Sequence, residues 1–480
     1  MSFSELLTVL APFICAIGGT ALLLLDLAIP KSNKSTTAWL SVGVLLVALL
    51  AVPTQWGKSA SSFYGMTASD GYALFLDALL LVIGILTVLL TLRYNEARGI
   101  MRGEFFALLL FALSGMMLMG HATNLLTVFV AVELLSIPLY ILCGIARPRH
   151  ESEESAMKYF LLGAFASGFL VYGIALIYGA MGTTSLNGIA NLLKNSNQYD
   201  SGLMLAGAAL LLVGLGFKVA AAPFHMWTPD VYEGAPTTVT AFMSTATKAA
   251  GFAAILRVFM FGFTDLIQVW QPLIALIAAL TMIVGNVLAL TQNNLKRLLA
   301  YSSIGHAGYL LMGVAAGNDQ GIASVLFYLA AYAVTTLAAF AVMTAVGANE
   351  AENQSLESYA GLGHRKPVLA LVMSIAMLSM LGIPPMVGFF GKWYLIQAAM
   401  NSNLNWLAVV AVVTSVISAA FYLRVLTTMF MKESSSDEVI PSNLPRSLAT
   451  AITAVGTLIA GLFSTPVLNV ITDGVKSLVR

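Results

Sequence analysis

The chain has 480 residues, of which 59% are hydrophobic and 9% charged, with a net charge of +1 and a mean hydropathy of +0.88. A soluble domain carries about 25% charged residues, so this composition describes a polytopic membrane protein, and the near-neutral balance gives no support for nucleic-acid binding. Two cysteines, Cys15 and Cys143, each inside an apolar run, cannot supply a disulfide framework or an iron–sulfur ligand set and read as small buried hydrophobes.

A membrane crossing takes about 20 apolar residues. On that measure the chain is an all-α polytopic protein with about 14 spans, near residues 5–29, 36–53, 71–92, 104–120, 124–145 and 155–180, then 203–222 with a short second piece near 224–234. The series continues at 237–262, 268–292, 295–315, 321–347, 367–399, 404–431 and 447–472. The first span lacks a basic leader and a small-residue cleavage site, so it is expected to stay in the mature protein. No glycine-rich nucleotide loop of either common kind occurs.

Two spans are interrupted. In the seventh, Lys218 enters an apolar run, and Pro223, His225, Pro229, Asp230, Glu233 and Pro236 follow. In the twelfth, the run from Pro367 to Met400 would be about 50 Å long as one helix, far beyond a bilayer core of about 30 Å. Pro384, Pro385, Gly388 and Gly391 are placed to break it beside Lys392. Broken helices at membrane depth persist where protein or a water-filled cavity surrounds them, as at transporter ion sites. An offset of five spans inverts the second break relative to the first, so spans 4–8 and 9–13 read as two inverted five-helix repeats. The expected organisation is one integral-membrane domain, 1–480. It comprises three N-terminal helices (1–103), the repeats (104–262 and 268–431) and a C-terminal loop with the last helix (432–480).

Basic residues favour one side. Connections after odd spans carry Lys31, Lys34, Arg93, Arg98, Arg102, Arg147, Arg149, Lys296, Arg297, Arg365, Lys366, Lys432 and Arg446. The opposite side has Lys58, Lys194, Arg257, Lys476 and Arg480. The bias of basic loops toward the cytoplasm places both termini outside.

Five ionisable residues lie near mid-span: Glu133, Lys218, Lys248, His306 and Lys392. The bland reading is structural glue, a Glu–Lys pair and a satisfied histidine. Five costly groups, two of them at helix breaks, point instead to proton handling. Burial strips an ammonium of solvation and favours its neutral form, and a nearby carboxylate opposes that, so moving one charge reloads its neighbour. Metal ligation is disfavoured, because no carboxylate pair or histidine cluster stands at ligand spacing. His225, Tyr301 and Ser302 are supporting candidates. Asp26, Asp77, Lys158, Arg257 and Arg424 lie nearer span ends and read as interfacial anchors.

Three motifs carry a resemblance. They are Gly216-Phe-Lys-Val-Ala-Ala-Ala-Pro-Phe-His-Met-Trp-Thr-Pro-Asp-Val-Tyr-Glu-Gly-Ala-Pro236, Asn294-Leu-Lys-Arg-Leu-Leu-Ala-Tyr-Ser-Ser-Ile-Gly-His-Ala-Gly-Tyr309 and Gly388-Phe-Phe-Gly-Lys-Trp-Tyr394. Over essentially its whole length the chain resembles the antiporter-like membrane subunits of respiratory complex I. Lysine at 392 sets it apart from the M-type member, which has glutamate in the matching broken helix. The chain also ends soon after span fourteen, whereas the L-type member carries a long lateral helix. The resemblance implies a proton relay with Glu133 as the fifth-helix carboxylate, Lys218 as its broken-helix partner, Lys248 and His306 as relays and Lys392 as the exit-side lysine. It implies proton translocation driven by quinone reduction within an NADH:quinone oxidoreductase. No cofactor is expected in this chain; flavin, iron–sulfur clusters and quinone would belong to partner subunits. Expected partners are the M-type neighbour, the small membrane subunits and the lipid of a bacterial cytoplasmic (inner) membrane. A subunit of an Mrp-type cation/proton antiporter is the alternative, because it shares the fold and the lysines.

Overall fold

The computed structural model describes residues 3–30, 33–195, 200–347, 354–434 and 443–476. In hydrocarbon a backbone must satisfy its own hydrogen bonds, which selects helices, and Leu- and Ala-rich runs supply them. The chain opens with α1 (Phe3–Leu7), α2 (Leu10–Ala28) and α3 (Ser35–Ala51). A short antiparallel hairpin, β1 (Ala60–Ser62) and β2 (Thr67–Ser69), departs from the all-helical expectation and leads into α4 (Gly71–Ala97). Next come α5 (Gly103–His121), α6 (Leu125–Cys143), α7 (His150–Met181), α8 (Leu186–Asn195), α9 (Ser201–Lys218) and α10 (Trp227–Gly234). A π-helical turn, Met243–Thr247, joins α11 (Thr237–Phe242) to α12 (Lys248–Arg257), and a second, Val258–Gly262, follows. The remainder comprises α13 (Ile267–Ala289), α14 (Leu295–Ala315), α15 (Asp319–Val346), α16 (Leu362–Arg365), α17 (Pro367–Leu381), α18 (Val387–Asn401), α19 (Asn405–Met431), α20 (Leu444–Leu462) and α21 (Ser464–Lys476).

Among the described residues, thirteen helical stretches are long and apolar enough to cross a membrane. The twelfth span of the sequence reading is instead the pair α17 and α18, each of 15 residues. Short polar side chains start many of these helices, as their residue types dictate. Asp70, Asn124, Asp200, Asn294, Asn318 and Asn443 each accept a hydrogen bond from a backbone N–H of the turn that follows. The first and last spans differ from single helices: α1 and α2 divide the first, and α20 and α21 divide the last.

Glycine sets the closest helix approaches, because without a strong hydrophobic drive in lipid, packing depends on small residues. A Cβ on Gly285 of α13 would lie 2.3 Å from the Gly305 nitrogen of α14, and one on Gly173 of α7 would lie 2.8 Å from the Gly207 oxygen of α9. One connection recurs along the chain. Asn124 bridges Ser185, and Asn294 bridges Ser355, each residue of the second pair 170 positions after its counterpart in the first. The flanking backbone bonds keep the same spacing: Leu125 N to Thr184 O and Leu186 N to Thr123 O, then Leu295 N to Gln354 O and Leu356 N to Asn293 O.

Both helix breaks are present. The first follows Lys218, where Ala220 turns left-handed at φ 59° and Pro223 has no N–H to donate. The second follows Leu381, where Gly382 has φ 94° and Pro384 and Pro385 precede α18. Carbonyls freed at each break find side chains. The Trp227 indole donates to the Phe217 carbonyl at 3.1 Å. Lys392 and Ser415 both donate to the Leu381 carbonyl, at 3.0 and 3.1 Å.

Candidate functional site

The five mid-span residues stand on helices that meet at the two breaks. Glu133 lies mid-way along α6 and is partly exposed, in line with the exposed Leu126, Val130, Ile137 and Ile141. The Ser167 hydroxyl of α7 donates to its Oε1. No ion pair of contact distance joins Glu133 to Lys218 among the described residues, although the carboxylate is near enough for its charge to act on the ammonium. One turn along α6, Ser136 takes the ammonium instead, with Lys218 Nζ 2.6 Å from its hydroxyl. The rings of Tyr140, Tyr159 and Phe217 stand 5.7–5.8 Å from the same ammonium. Each presents a negative π face to the cation, so the rings replace part of its lost hydration. The break itself orders this wall, because Trp227 of α10 stacks on Tyr159 at 4.7 Å.

Lys248 follows the first π-helical turn, a local widening often found at functional sites. Its side chain is 2% exposed, donating at 2.8 Å to the Ser303 carbonyl of α14 and at 3.4 Å to the Val219 carbonyl at the first break. Lys248 therefore spans from the Lys218 break to the helix that carries His306. One turn beyond Ser303, His306 is 3% exposed, with Nδ1 2.6 Å from the Tyr328 hydroxyl and Nε2 3.0 Å from the Tyr422 hydroxyl. Tyr422 is also 2.5 Å from the Ser302 hydroxyl. Lys392 sits on α18, after the second break, and reaches back to the Leu381 carbonyl and to Ser415 at 2.8 Å. Its ammonium lies 4.7 Å from the Tyr309 ring centre, and Tyr309 in turn is 3.2 Å from Thr414. A cavity of about 390 Å³, lined by Tyr309, Gly382, Lys392, Trp393, Ser415 and Val416 among others, opens at this lysine.

In order, the polar groups run from Glu133 and Ser167 through Ser136, Lys218, Lys248, His306 and its tyrosines to Lys392. Such a row alternates groups able to take up and release a proton with hydroxyls able to donate and accept one. Of the supporting candidates, Ser302 joins it through Tyr422. His225 sits in the turn of the first break, half-buried, and Tyr301 is half-buried against the apolar core; neither is brought to the row. Ser136, Ser167, Tyr140, Tyr159, Tyr328, Tyr422 and Ser415 escaped the sequence reading. A hydroxyl in an apolar run was the one signal that could have found them, and many satisfied serines and threonines share it.

A second group of charges corrects two expected anchors. Arg257 is 1% exposed and donates to Asp70 at 2.8 Å and to the Gly120 carbonyl at 2.8 Å, with Tyr72 stacked 4.7 Å away. Asp77, also 1% exposed, is 2.9 Å from His121 Nε2, whose Nδ1 lies 2.9 Å from the Ala68 carbonyl. Both residues are interior partners because α4, α5 and α12 converge beneath the hairpin. Asp26 is also buried, held by Lys34 and Thr37. Lys158 and Arg424 fit the anchor reading. Lys158 is 41% exposed and pairs with Glu154 and Asp230, and Arg424 donates to carbonyls beyond the end of α13. Near Lys158, Asp230, Glu233 and Arg297 form a charged cluster around a cavity of about 530 Å³. Among the described residues no three His, Cys, Asp or Glu side chains gather as metal ligands would.

Comparison with known proteins places these features in a family. Residues 122–418 match the family model described as NADH:quinone oxidoreductase/Mrp antiporter, transmembrane. A curated relative from Chloroflexus aggregans, named NADH-quinone oxidoreductase subunit N, is 47% identical over 466 residues, covering 96% of this chain and 95% of the relative. A chain in the structure of respiratory complex I from Thermus thermophilus with bound aureothin matches with a TM-score of 0.82 and 38% identity, covering 96% of this chain and 98% of that one. A chain of the Mrp complex from Dietzia sp. matches with a TM-score of 0.86 at 22% identity, covering 100% and 98%, a likeness of fold.

Proposed function

This chain belongs to the NADH:quinone oxidoreductase/Mrp antiporter transmembrane family, in its subunit N group, and we propose that its row of buried ionisable residues carries protons across the membrane. It is an antiporter-like membrane-arm subunit that works beside the other subunits of an NADH-quinone oxidoreductase. Glu133 loads the row, Lys218 and Lys248 hold protons in turn, His306 passes them through the bundle centre, and Lys392 releases them into its cavity. The observation that carries this reading is the placement of Lys248. One ammonium touches both the first break, at the Val219 carbonyl, and the helix of His306, at the Ser303 carbonyl. A structural ion-pair network would place carboxylates against the lysines. Here carbonyls, hydroxyls and aromatic rings surround Lys218, Lys248 and Lys392, and such surroundings tolerate both the charged and the neutral amine.

Redox chemistry belongs to the partners: flavin, iron–sulfur clusters and quinone sit in other subunits, and this chain moves protons in response. The chain acts as one integral-membrane domain, consistent with a buried core that runs continuously from Ala11 to Val475. The repeated Asn124–Ser185 and Asn294–Ser355 bridges support two repeats inverted in the bilayer. The membrane is the bacterial cytoplasmic membrane, with both termini outside. The Mrp-type reading is the weaker one, since 47% identity to a subunit N relative outweighs a likeness of fold. Mass spectrometry of what co-purifies with the chain in mild detergent tests the assignment. Flavin- and iron–sulfur-bearing subunits are expected, and a complex holding only cation/proton antiporter subunits would overturn it.

A further inference from the structure

The hydrogen bonds of His306 can be accounted for one by one, and they constrain more than its position. A neutral imidazole has one N–H donor and one bare acceptor nitrogen. Here each nitrogen meets a phenol: Nδ1 meets Tyr328 at 2.6 Å and Nε2 meets Tyr422 at 3.0 Å. Tyr422 continues to Ser302 at 2.5 Å, and the Ser302 hydroxyl reaches the Met380 sulfur at 3.9 Å. Two assignments are possible. In the first, Tyr328 donates to Nδ1, Nε2–H donates to Tyr422, Tyr422 donates to Ser302, and Ser302 points its hydrogen at Met380. Every hydrogen then has an acceptor. In the second, the three bonds among Tyr328, His306, Tyr422 and Ser302 reverse, Met380 having no hydrogen to give, and the Tyr328 hydrogen has no acceptor among the described residues. An unmet buried hydroxyl is costly, so the first assignment is favoured at rest.

We propose that Tyr328 and Tyr422 are the groups through which His306 receives and gives up its proton, and that Gly391 positions Tyr328 for this. The proposal rests on the proton-relay reading above and deepens it. A proton arriving at the Tyr328 oxygen lets that phenol pass its own hydrogen to Nδ1. Nε2–H then moves to the Tyr422 oxygen, and the Tyr422 hydrogen moves to Ser302. One proton enters at Tyr328 and the Ser302 hydroxyl gives up its own to water; the three oxygens end with the protons they began with, while the imidazole ends as its other tautomer, with the hydrogen on Nδ1 and none on Nε2. The ring stays in place during the transfer, and the Nδ1 hydrogen must be exchanged for one on Nε2 before the next. It is bonded at both nitrogens and packed 5.0 Å from the Tyr332 ring and 5.9 Å from the Tyr309 ring. The charged groups nearest it from the packed elements are Lys248 and Lys392.

Gly391 enters because Tyr328 lies where its side chain would be. A Cβ at position 391 would stand 2.3 Å from Tyr328 Cδ2 and 3.1 Å from Cε2. The neighbouring residue is Lys392, so the ring links the helix of the exit-side lysine to the histidine. A shift of α18 on either side of the Lys392 cycle is felt at Tyr328 and so at Nδ1.

The test uses the intact complex in liposomes, measuring quinone-coupled proton uptake and its solvent deuterium isotope effect, with assembly checked on native gels. Tyr328→Phe and Tyr422→Phe each keep the ring and lose the hydroxyl. Both are expected to slow coupled uptake on the order of a hundredfold, the contribution of a positioned proton-transfer group, and to change the isotope effect. Gly391→Ala should reproduce the Tyr328→Phe defect, and Gly391→Ala added to Tyr328→Phe should cost little more, the non-additivity of groups acting on one bond. His306→Gln is the reference. If it abolishes uptake while both phenylalanine variants pump normally, this proposal is overturned and the relay stands. If His306→Gln itself pumps normally, the relay through His306 falls and the proposal with it. Tyrosine variants that lose uptake with an unchanged isotope effect would show a purely structural role and overturn the proposal. Normal pumping by Gly391→Ala overturns the positioning role of the glycine.

Discussion

Replacing Lys218 by arginine separates a proton carrier from a fixed charge. Lys218 is 5% exposed, and its ammonium is bonded to one hydroxyl and faced by three aromatic rings, with no carboxylate in ion-pair contact among the described residues. An arginine keeps the positive charge, can bond Ser136 and stacks on aromatic faces at least as well as lysine. A role as structural cation should therefore survive the exchange. Arginine also holds its proton about 2–3 pH units more tightly than lysine in water, about 3–5 kcal/mol. Surroundings acting alike on both leave neutral arginine rarer by roughly 10²–10³, so a step that needs the neutral side chain slows by about that factor. The assay is quinone-coupled proton uptake by the complex in liposomes, read against electron transfer, with native gels to establish assembly. Lys218→Met serves as the variant that is always neutral. The expected result is an assembled Lys218→Arg complex with coupled uptake at about a hundredth of wild type or less. Wild-type pumping by that complex would refute the carrier role and leave Lys218 as a fixed charge.

Lys392→Ala should lower pumping while the complex still assembles, because its bonds to the Leu381 carbonyl and Ser415 are partly replaceable by water from the adjoining cavity; normal uptake by this variant would return the residue to a capping role. Arg257→Met strands a buried Asp70 carboxylate and should cost about 3–5 kcal/mol, seen as loss of assembled complex or a lowered melting temperature, and a variant as stable as wild type would refute the interior pairing. Double replacement of Asp70 and Arg257 by apolar residues should recover much of that loss, since a removed pair leaves no unmatched charge. Cysteine labelling in intact cells should leave the 95–103 connection unreactive from outside; labelling there would reverse the assigned topology.

Hydropathy along the chain determined the membrane class and nearly every helix, because lipid leaves a backbone few ways to satisfy itself. The helix breaks were equally legible: Pro223, Pro384 and Pro385 carry no donor, and a lysine beside each break announces an unusual surrounding. The five ionisable residues stood out for the same reason, a charge where charge is expensive. What they touch was not legible. Lys218 bonds a serine 82 positions away, His306 a tyrosine 116 away, and Arg257 an aspartate 187 away. Those partners depend on how each helix is rotated about its axis. Rotation is set by close packing at sites such as Gly285 against Gly305 and Gly391 against Tyr328, where a single methyl group would not fit. Serine and tyrosine in an apolar helix carry no mark of whether they face lipid, a neighbour or a proton. So the sequence by itself determined which costly groups enter the membrane and where the helices break. Tertiary structure decided that the Ser136 hydroxyl and three rings meet the Lys218 ammonium, and that Asp77 and Arg257 are interior, each with a partner on another helix or its cap, because contacts across helices follow from packing that no local pattern encodes.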